Sequence, residues 1–285
     1  MRIAIPVCVL LLICAEPTAA QDNYEIQVYG ADLVPPGATM VELHSNFTAS
    51  GRKDVLDGVD ATNHALHETV EITHGFADWF ECGFYLFTSV RSGSGWDIVG
   101  SHVRPRFAVP PKYHWPVGVS ISQEFGYVRR EFADATSTWE IRPIVDQTIG
   151  RFYWTFNPAL EKAFNGPLDG RKFEFAPNAM VTYNVTKKIS AGLEYYGGFG
   201  PLSDLQPWRQ GAQQLFPAIN YDFGPDWEFN AGVGIGLTDS AEPVIFKMIL
   251  GRRFGRRRQV SPADNGPHAA YRATNHSAVP NTPVT

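Results

Sequence analysis

The stretch Val244-Ile-Phe-Lys-Met-Ile-Leu-Gly-Arg-Arg-Phe254 decides the fold class of this 285-residue chain. Phe246 and Leu250 lie on one face of the extended chain, whereas Lys247 and Gly251 lie on the other. Such period-two alternation predicts a β-strand with one apolar and one polar face. At least ten comparable segments precede this one, so the chain is predicted to be all-β.

The earlier segments repeat this pattern at a spacing that fits a ring of strands. In one of them Val70 and Ile72 alternate with Thr69 and Glu71. A chain made of alternating segments of about ten residues has the signature of a bacterial outer-membrane barrel, which closes because lipid tolerates no open sheet edge. We predict a transmembrane up-and-down antiparallel β-barrel of about 12 strands over residues 38–254. A soluble β-sandwich, which also has alternating strands, is the alternative.

The first twenty residues have the features of a cleavable signal peptide. A basic start at Arg2 precedes an apolar run over residues 3–14, and small residues end at Ala20, after which we expect cleavage. The run is shorter than the roughly 20 residues that a membrane helix needs. A lipoprotein signal centred on Cys14 is the alternative. Residues 1–20 are therefore predicted to direct the chain out of the cytoplasm and towards the bacterial outer membrane.

Two segments flank the predicted barrel. Residues 21–37 are predicted to form a periplasmic N-terminal extension, and the extended pattern of residues 24–30 leaves entry into the barrel as an alternative. Residues 255–285 carry four arginines against one aspartate and much Pro, Asn, Ala and Ser, which predicts a disordered basic periplasmic tail. Because the whole chain has a net charge of −5, the barrel portion is acidic and is expected to favour cations or neutral solutes.

Two motifs that resemble catalytic or nucleotide sites are better explained by strand structure. The glycines of Gly232-Val-Gly-Ile-Gly236 lie inside an alternating strand with no helix after it, so they lack the geometry of a phosphate-binding loop. His44 and Ser45 are neighbours on one strand and therefore point to opposite faces, which separates a Ser–His pair. We predict no catalytic residue, and an embedded lipid-modifying enzyme using the His44–Asn46 stretch is the disfavoured alternative.

The remaining histidines and cysteines do not form a metal motif. His64, His67 and His74 lack the helical spacing of zinc ligands. Cys82 is the single cysteine beyond the predicted signal peptide, so neither an internal disulfide nor a cysteine cluster is expected. We therefore predict no metal site and no cofactor.

Charged side chains recur on the inner face of the predicted strands. The candidates for the lumen and its selectivity are His102, Arg104, Arg106, Glu124, Glu140, Arg142 and Asp146. Charges enclosed by a ring of strands must be paired or hydrated. They are predicted either to brace a narrow barrel through salt bridges or to form a constriction that selects solutes by charge.

Aromatic residues recur where strands are expected to meet the membrane surface. Trp79, Tyr183 and Trp227 lie beside short connections between predicted strands. Amphipathic rings are favoured at the lipid–water boundary, so these three residues are predicted to form part of an interfacial aromatic belt.

Two hairpins resemble a known family. They are Leu66-His-Glu-Thr-Val-Glu-Ile-Thr-His-Gly-Phe-Ala-Asp-Trp-Phe-Glu-Cys-Gly83 and Tyr221–Gly232. Each has an aromatic or imidazole ring before a tight turn and a glycine shortly after the next predicted strand begins. They are similar to the repeated units of outer-membrane proteins grouped under the MetA pathway of phenol degradation. The resemblance covers most of residues 38–254 and implies a barrel that passes aromatic or other small hydrophobic compounds. The long basic tail after Phe254 departs from the usual ending of such barrels.

The predicted function is passive diffusion or uptake of small solutes, including hydrophobic or aromatic ones, without enzymatic activity. A closed structural or adhesive outer-membrane barrel without transport is the alternative. The expected partners are outer-membrane lipids, a small-molecule solute and, during biogenesis, the barrel-assembly machinery. No interaction with nucleic acid is expected.

Overall fold

The computed structural model describes residues 23–166 and 173–255, and within these ranges twelve antiparallel strands close into one barrel. The strands are β1 (Ala38–Ser50), β2 (Leu66–Ala77), β3 (Phe80–Arg91), β4 (Gly95–Ala108), β5 (Gly118–Val128), β6 (Ser137–Ile149), β7 (Phe152–Ala163), β8 (Glu174–Asn184), β9 (Ile189–Gly197), β10 (Gln213–Tyr221), β11 (Trp227–Gly236) and β12 (Val244–Gly255). Each strand pairs with its neighbours in sequence, and β1 pairs with β12 to close the ring. The predicted up-and-down barrel is confirmed. The predicted signal peptide, residues 1–20, and residues 256–285 of the predicted tail lie outside the described ranges.

The barrel wall is apolar on its exposed outer face and polar on its buried inner face, the reverse of a water-soluble protein. On β1 the apolar Leu43 and Phe47 are about 38% and 37% exposed on the outer face, whereas Glu42, His44 and Asn46 are buried on the inner face. This arrangement suits an apolar medium outside and a polar lumen inside. In the described ranges, no helix has the length and apolar character needed to cross a membrane.

Connections at one end of the barrel, the short-turn end, are mostly shorter than those at the other, the long-loop end, and two connections depart from this arrangement. Residues 92–94 join β3 to β4 by a tight turn at the long-loop end, because Gly93 and Gly95 adopt positive φ angles of 92° and 79°. Residues 109–117 join β4 to β5 at the short-turn end by a longer path that contains a 3-10 turn at Pro111–Tyr113. Proline cannot continue a strand ladder, which lengthens this connection.

A segment before β1 lies inside the barrel, and we call residues 24–34 the inner segment. Residues 24–31 are buried, and none of residues 24–36 belongs to a strand. The chain reverses at Gly37, which has a φ of 78° and donates its N–H to the carbonyl oxygen of Gly75 at 2.7 Å. Residues 24–31 therefore lie in the lumen, which agrees with the alternative of entry into the barrel rather than with a wholly periplasmic extension over residues 21–37. Burial of Ile26 and Val28 against inward-facing apolar side chains favours this position.

Candidate functional site

Side chains of the barrel wall bind the inner segment, and the largest number of these contacts is at Tyr29. The Asn157 carboxamide on β7 accepts the Tyr29 N–H at Oδ1 (2.8 Å) and donates from Nδ2 to the Tyr29 carbonyl oxygen (3.0 Å). Thr155 Oγ1, also on β7, donates to the same carbonyl oxygen at 2.6 Å. These bonds satisfy both backbone groups of Tyr29, a requirement for buried backbone.

Other strands around the ring bind the backbone of the inner segment in the same way. Three wall side chains donate to carbonyl oxygens of the inner segment: Thr69 to that of Tyr24 (2.6 Å), Lys247 Nζ to that of Ile26 (3.2 Å) and Arg106 Nη2 to that of Asp32 (2.6 Å). Two carboxylates accept its backbone N–H groups: Asp146 Oδ2 that of Ala31 (2.9 Å) and Glu81 Oε2 that of Val34 (2.6 Å). These contacts come from β2, β12, β4, β6 and β3. The inner segment is thus bound on several sides without becoming part of the sheet.

Three arginines surround the ring of Tyr29. The guanidinium carbons of Arg104, Arg142 and Arg106 lie 4.4, 5.2 and 5.7 Å from the ring centroid. Cations within about 6 Å of an aromatic centroid are attracted to the face of the ring, and the attraction grows where water is excluded. Tyr29 is therefore an anchor of the inner segment, and three of the seven predicted lumen residues contact it.

The same arginines are paired with carboxylates of the wall. Arg104 Nη2 donates to Glu71 Oε1 at 2.6 Å and lies 4.0 Å from Glu81 Oε1. Arg106 Nη1 lies 3.5 Å from Glu81 Oε1. All four side chains are buried. Each of these four charges therefore has an opposite charge close by, as buried charges require.

The remaining predicted lumen residues also face inward and are bound locally. Arg142 donates from Nε and Nη2 to the two carboxylate oxygens of Glu140, at 2.7 and 2.8 Å. His102 and Glu124 are bonded directly to each other. Asp146 accepts a hydrogen bond from the Tyr153 hydroxyl at 2.9 Å, in addition to that from the inner segment. Four of the seven residues thus form the pairs His102–Glu124 and Arg142–Glu140, whereas Arg104 and Arg106 pair with carboxylates of β2 and β3, so the seven do not form one continuous ring.

A further ion pair, which the sequence analysis did not predict, joins two strands that are not neighbours in the ring. Lys247 on β12 is bonded directly to Glu194 on β9. Glu194 also accepts hydrogen bonds from the Tyr196 hydroxyl (2.6 Å) and from Asn230 Nδ2 (3.0 Å). Lys247 and Glu194 alternate with outward apolar residues, as do Glu71 and Glu81, so the inner-face pattern could have identified all four.

The three predicted belt residues lie at the short-turn end of the barrel, each half-exposed. Trp79 lies between β2 and β3, Tyr183 near the end of β8 and Trp227 at the start of β11. Arg151 lies over the Tyr183 ring at 4.7 Å, and Arg252 lies over the Trp227 ring at 5.1 Å. Their placement at the lipid boundary stays a prediction.

The residues of the disfavoured catalytic motif lie on opposite faces of β1, as predicted. Ser45 Oγ donates to Glu68 Oε2 at 2.6 Å, whereas His44 is completely buried in the lumen. Of the other histidines, His67 lies beside the Tyr24 ring, and His74 Nδ1 is 2.8 Å from Thr39 Oγ1. These histidines therefore do not converge on one another.

Two cavities border the inner segment. One of about 190 Å³ lies at the short-turn end, between residues 31–36 and the connections that follow β2 and β4. The other, of about 70 Å³, is lined by Tyr29, Glu42, Glu71 and Arg104 among others. The inner segment and the wall side chains fill much of the space between them.

Comparison with solved structures gives the fold of outer-membrane barrels. The KdgM porin superposes with a TM-score of 0.51 and 10% identity, covering 75% of this chain and 99% of that chain. The KdgM porin in complex with disordered oligogalacturonate gives a TM-score of 0.48, with 10% identity and the same coverage. The Acinetobacter baumannii outer membrane protein Omp33 gives 0.41, with 12% identity over 79% of this chain and 100% of that chain. At such identities the first of these likenesses shows the fold alone.

Comparison at the level of sequence gives one family match, over part of the chain. No curated protein sequence matches the chain significantly. The family model described as "Putative MetA-pathway of phenol degradation" matches residues 128–247, from the end of β5 into β12. This segment includes the hairpin Tyr221–Gly232, one of the two that carried the resemblance. The resemblance of this chain to the outer-membrane barrel family of the MetA pathway of phenol degradation is therefore confirmed.

Proposed function

We propose that this protein is a passive outer-membrane channel for small solutes, closed in the described conformation by the inner segment. The observation that carries the proposal is how the inner segment is held. Wall side chains such as Asn157 and Thr155 bind its backbone, and it belongs to no strand. Withdrawal of the segment would therefore leave all twelve strand pairings of the barrel intact.

The size and polarity of the lumen support passage of a solute once the inner segment moves. Barrels of eight strands are filled by their own side chains, whereas those of 16–18 strands enclose an aqueous channel. A ring of twelve strands lies between these limits. Arg104 and Glu71 on one side, and Lys247 and Glu194 on the other, give the wall the charged lining by which pores select solutes.

Inward-facing aromatic rings favour a small aromatic or otherwise hydrophobic solute. The fully buried aromatic side chains of the wall are Tyr85, Phe87, Tyr153, Tyr196 and Phe216. They come from β3, β7, β9 and β10, so rings lie on several sides of the lumen. Stacked or edge-on contacts with such rings suit a planar aromatic solute. The name of the matching family refers to phenol degradation, which agrees with this solute class.

A second candidate is a closed structural barrel, and the buried ion pairs favour it. Arg104–Glu71 and Lys247–Glu194 join strands across the lumen and would brace a narrow barrel. In that case the inner segment is a permanent core element rather than a movable one. The two functions differ in whether the lumen ever conducts.

Single-channel recording in planar bilayers tests the proposal. We expect brief openings from the full chain and long-lived openings from a variant lacking residues 24–34. A deletion of the same length in the β1–β2 connection, residues 51–61, serves as the control and should behave like the full chain. Tyr29→Ala, which removes the arginine-bound ring, provides a second test in case the deletion variant fails to fold. A folded Tyr29→Ala barrel that never conducts would overturn the channel and support the structural barrel.

A further inference from the structure

Three potential metal ligands converge on the inner face where β1 meets β2. Glu42 and His44 are two positions apart on β1 and therefore point the same way. Glu71 on β2 lies directly opposite Glu42 in the strand register. One ligand atom from each of the three residues lies within 4.8 Å of the other two. All three side chains are buried.

The converging atoms lack hydrogen-bond partners within the described parts of the chain. They are Glu42 Oε1, both ring nitrogens of His44 and Glu71 Oε2. His44 Nε2 lies 3.3 Å from Glu71 Oε2, but the pair does not have hydrogen-bond geometry. Buried polar atoms are almost always satisfied, so a group of unpartnered atoms aimed at one point indicates a ligand. The other oxygen of Glu71 is bound by Arg104 and by the Thr73 hydroxyl, which fixes the orientation of the carboxylate.

The charges of the cluster favour a cation. Glu42 and Glu71 face each other across two paired strands, and like charges in directly opposed positions repel. Arg104 offsets part of the charge of Glu71, whereas Glu42 has no such bonded cation among the contacts of the described residues. A cation between the two carboxylates would remove the repulsion and satisfy the histidine at the same time.

A cavity adjoins the cluster and supplies room for water. The cavity of about 70 Å³ is lined by Glu42 and Glu71 and by Gln27 of the inner segment. Gln27 Oε1 is also buried and without a hydrogen-bond partner in the described ranges. This space is several times the roughly 10–15 Å³ that a cavity needs to hold one water molecule. A metal ion here could complete its coordination with water.

We propose that Glu42, His44 and Glu71 form a binding site for a divalent transition-metal ion of the zinc class. One imidazole nitrogen and two carboxylate oxygens are a ligand set that zinc accepts, with an open position for water. The hard ions Ca²⁺ and Mg²⁺ prefer oxygen ligands alone. Metal–ligand bonds of about 2.1 Å place ligand atoms at most about 4.2 Å apart, so slight side-chain rotation closes the site.

The second group of this kind, Glu25, His102 and Glu124, makes a weaker case. His102 and Glu124 are already bonded directly to each other, so a metal ion would have to break that contact. The main rival at the β1–β2 cluster is a proton shared between Glu42 and Glu71, which would also relieve their repulsion. The experiment must therefore detect the metal itself.

Binding of zinc chloride to the full chain, prepared in detergent without a histidine tag and freed of metal with a chelator, tests the site. Calorimetry should show one high-affinity Zn²⁺ site per chain and no such site for Ca²⁺ or Mg²⁺. His44→Gln removes a metal ligand and should weaken Zn²⁺ binding at least as much as the loss of an outer-shell partner, which typically costs about 10–100-fold. The matched control is His67→Gln, which replaces another buried histidine of the lumen and should leave binding unchanged.

Cobalt substitution gives a readout that needs no variant. Co²⁺ bound to a low-coordinate nitrogen–oxygen site should show visible absorption that one equivalent of Zn²⁺ abolishes. If His44→Gln fails to fold, Glu42→Gln replaces it in the calorimetry. Absence of a stoichiometric site, or equal loss of binding in His44→Gln and His67→Gln, would overturn the proposal and favour the shared proton. Because these measurements involve no conductance, their outcome is independent of the channel function.

Discussion

The side chain of Asn157 binds both backbone groups of Tyr29, accepting its N–H at 2.8 Å and donating to its carbonyl oxygen at 3.0 Å. In a sheet, an adjacent strand would supply these two bonds through its backbone. Here one carboxamide on β7 replaces that strand. The position of the inner segment therefore depends on a few side chains, each of which can be changed without altering the barrel wall.

Asn157→Ala should open the channel more often. The change removes two hydrogen bonds, each worth about 1 kcal/mol, from the closed state. A loss of about 2 kcal/mol should raise the ratio of open to closed states about 30-fold in single-channel recordings. Asn220→Ala is the control, because Asn220 bonds to Ser190 and Asn230 and not to the inner segment. Equal open fractions in the two variants would contradict the role assigned to Asn157.

Arg104→Gln combined with Arg142→Gln should shift ion preference towards cations. The double change removes two positive charges from the lumen and leaves Glu71 and Glu140 negative. Reversal potentials in a salt gradient measure this preference, which charged linings determine. Arg129→Gln with Arg130→Gln, in the connection after β5, is the charge-matched control. An unchanged reversal potential together with a much lower unfolding temperature would show that the two arginines stabilise the barrel and do not select ions.

Lys247→Met should destabilise the barrel strongly. It leaves the carboxylate of Glu194 buried without its cation, which typically costs about 3–5 kcal/mol. Adding Glu194→Gln should restore much of the stability, because the uncompensated charge is then removed as well. The temperature at which the folded barrel unfolds in detergent gives both values. If the double variant is as unstable as Lys247→Met, the ion pair is not the source of the effect.

Gly75→Ala should displace the base of the inner segment. A Cβ atom at this position would lie 2.1 Å from the carbonyl oxygen of Val34 and 2.5 Å from that of Pro35, and these backbone atoms cannot rotate away. We expect longer open times and a lower unfolding temperature than in the parent. At Gly232 the nearest atom would be 3.0 Å away, so Gly232→Ala should have a smaller effect on both measurements.

Much of the barrel could be predicted from sequence because alternation fixes the face of each side chain. Once Phe246 is placed outward, Lys247 must point inward, and the same logic places Arg104 and Arg142 in the lumen. Ring closure was predictable because lipid tolerates no open sheet edge, and an even strand number because single-chain bacterial barrels have one. For this reason all seven predicted lumen residues face inward in the structure.

The pairing of those residues could not be predicted, because it depends on how the ring closes. Glu71 and Arg104 are 33 residues apart and belong to strands separated by β3. Their contact reflects the curvature and stagger of the barrel, which no local pattern records. The inner segment was misplaced for a related reason. Ile26 and Val28 alternate with polar residues like a strand, yet the partners that bury them lie on distant strands.

The bond from Lys247 to the carbonyl oxygen of Ile26 joins residues 221 positions apart. The earliest described part of the polypeptide therefore meets a partner in β12, the last described strand. Neither the seam between β1 and β12 nor this contact can exist in a nascent chain that stops before β12. Closure of the barrel and binding of the inner segment to β12 must accordingly be late steps of biogenesis. A product truncated in β12 would lose both together.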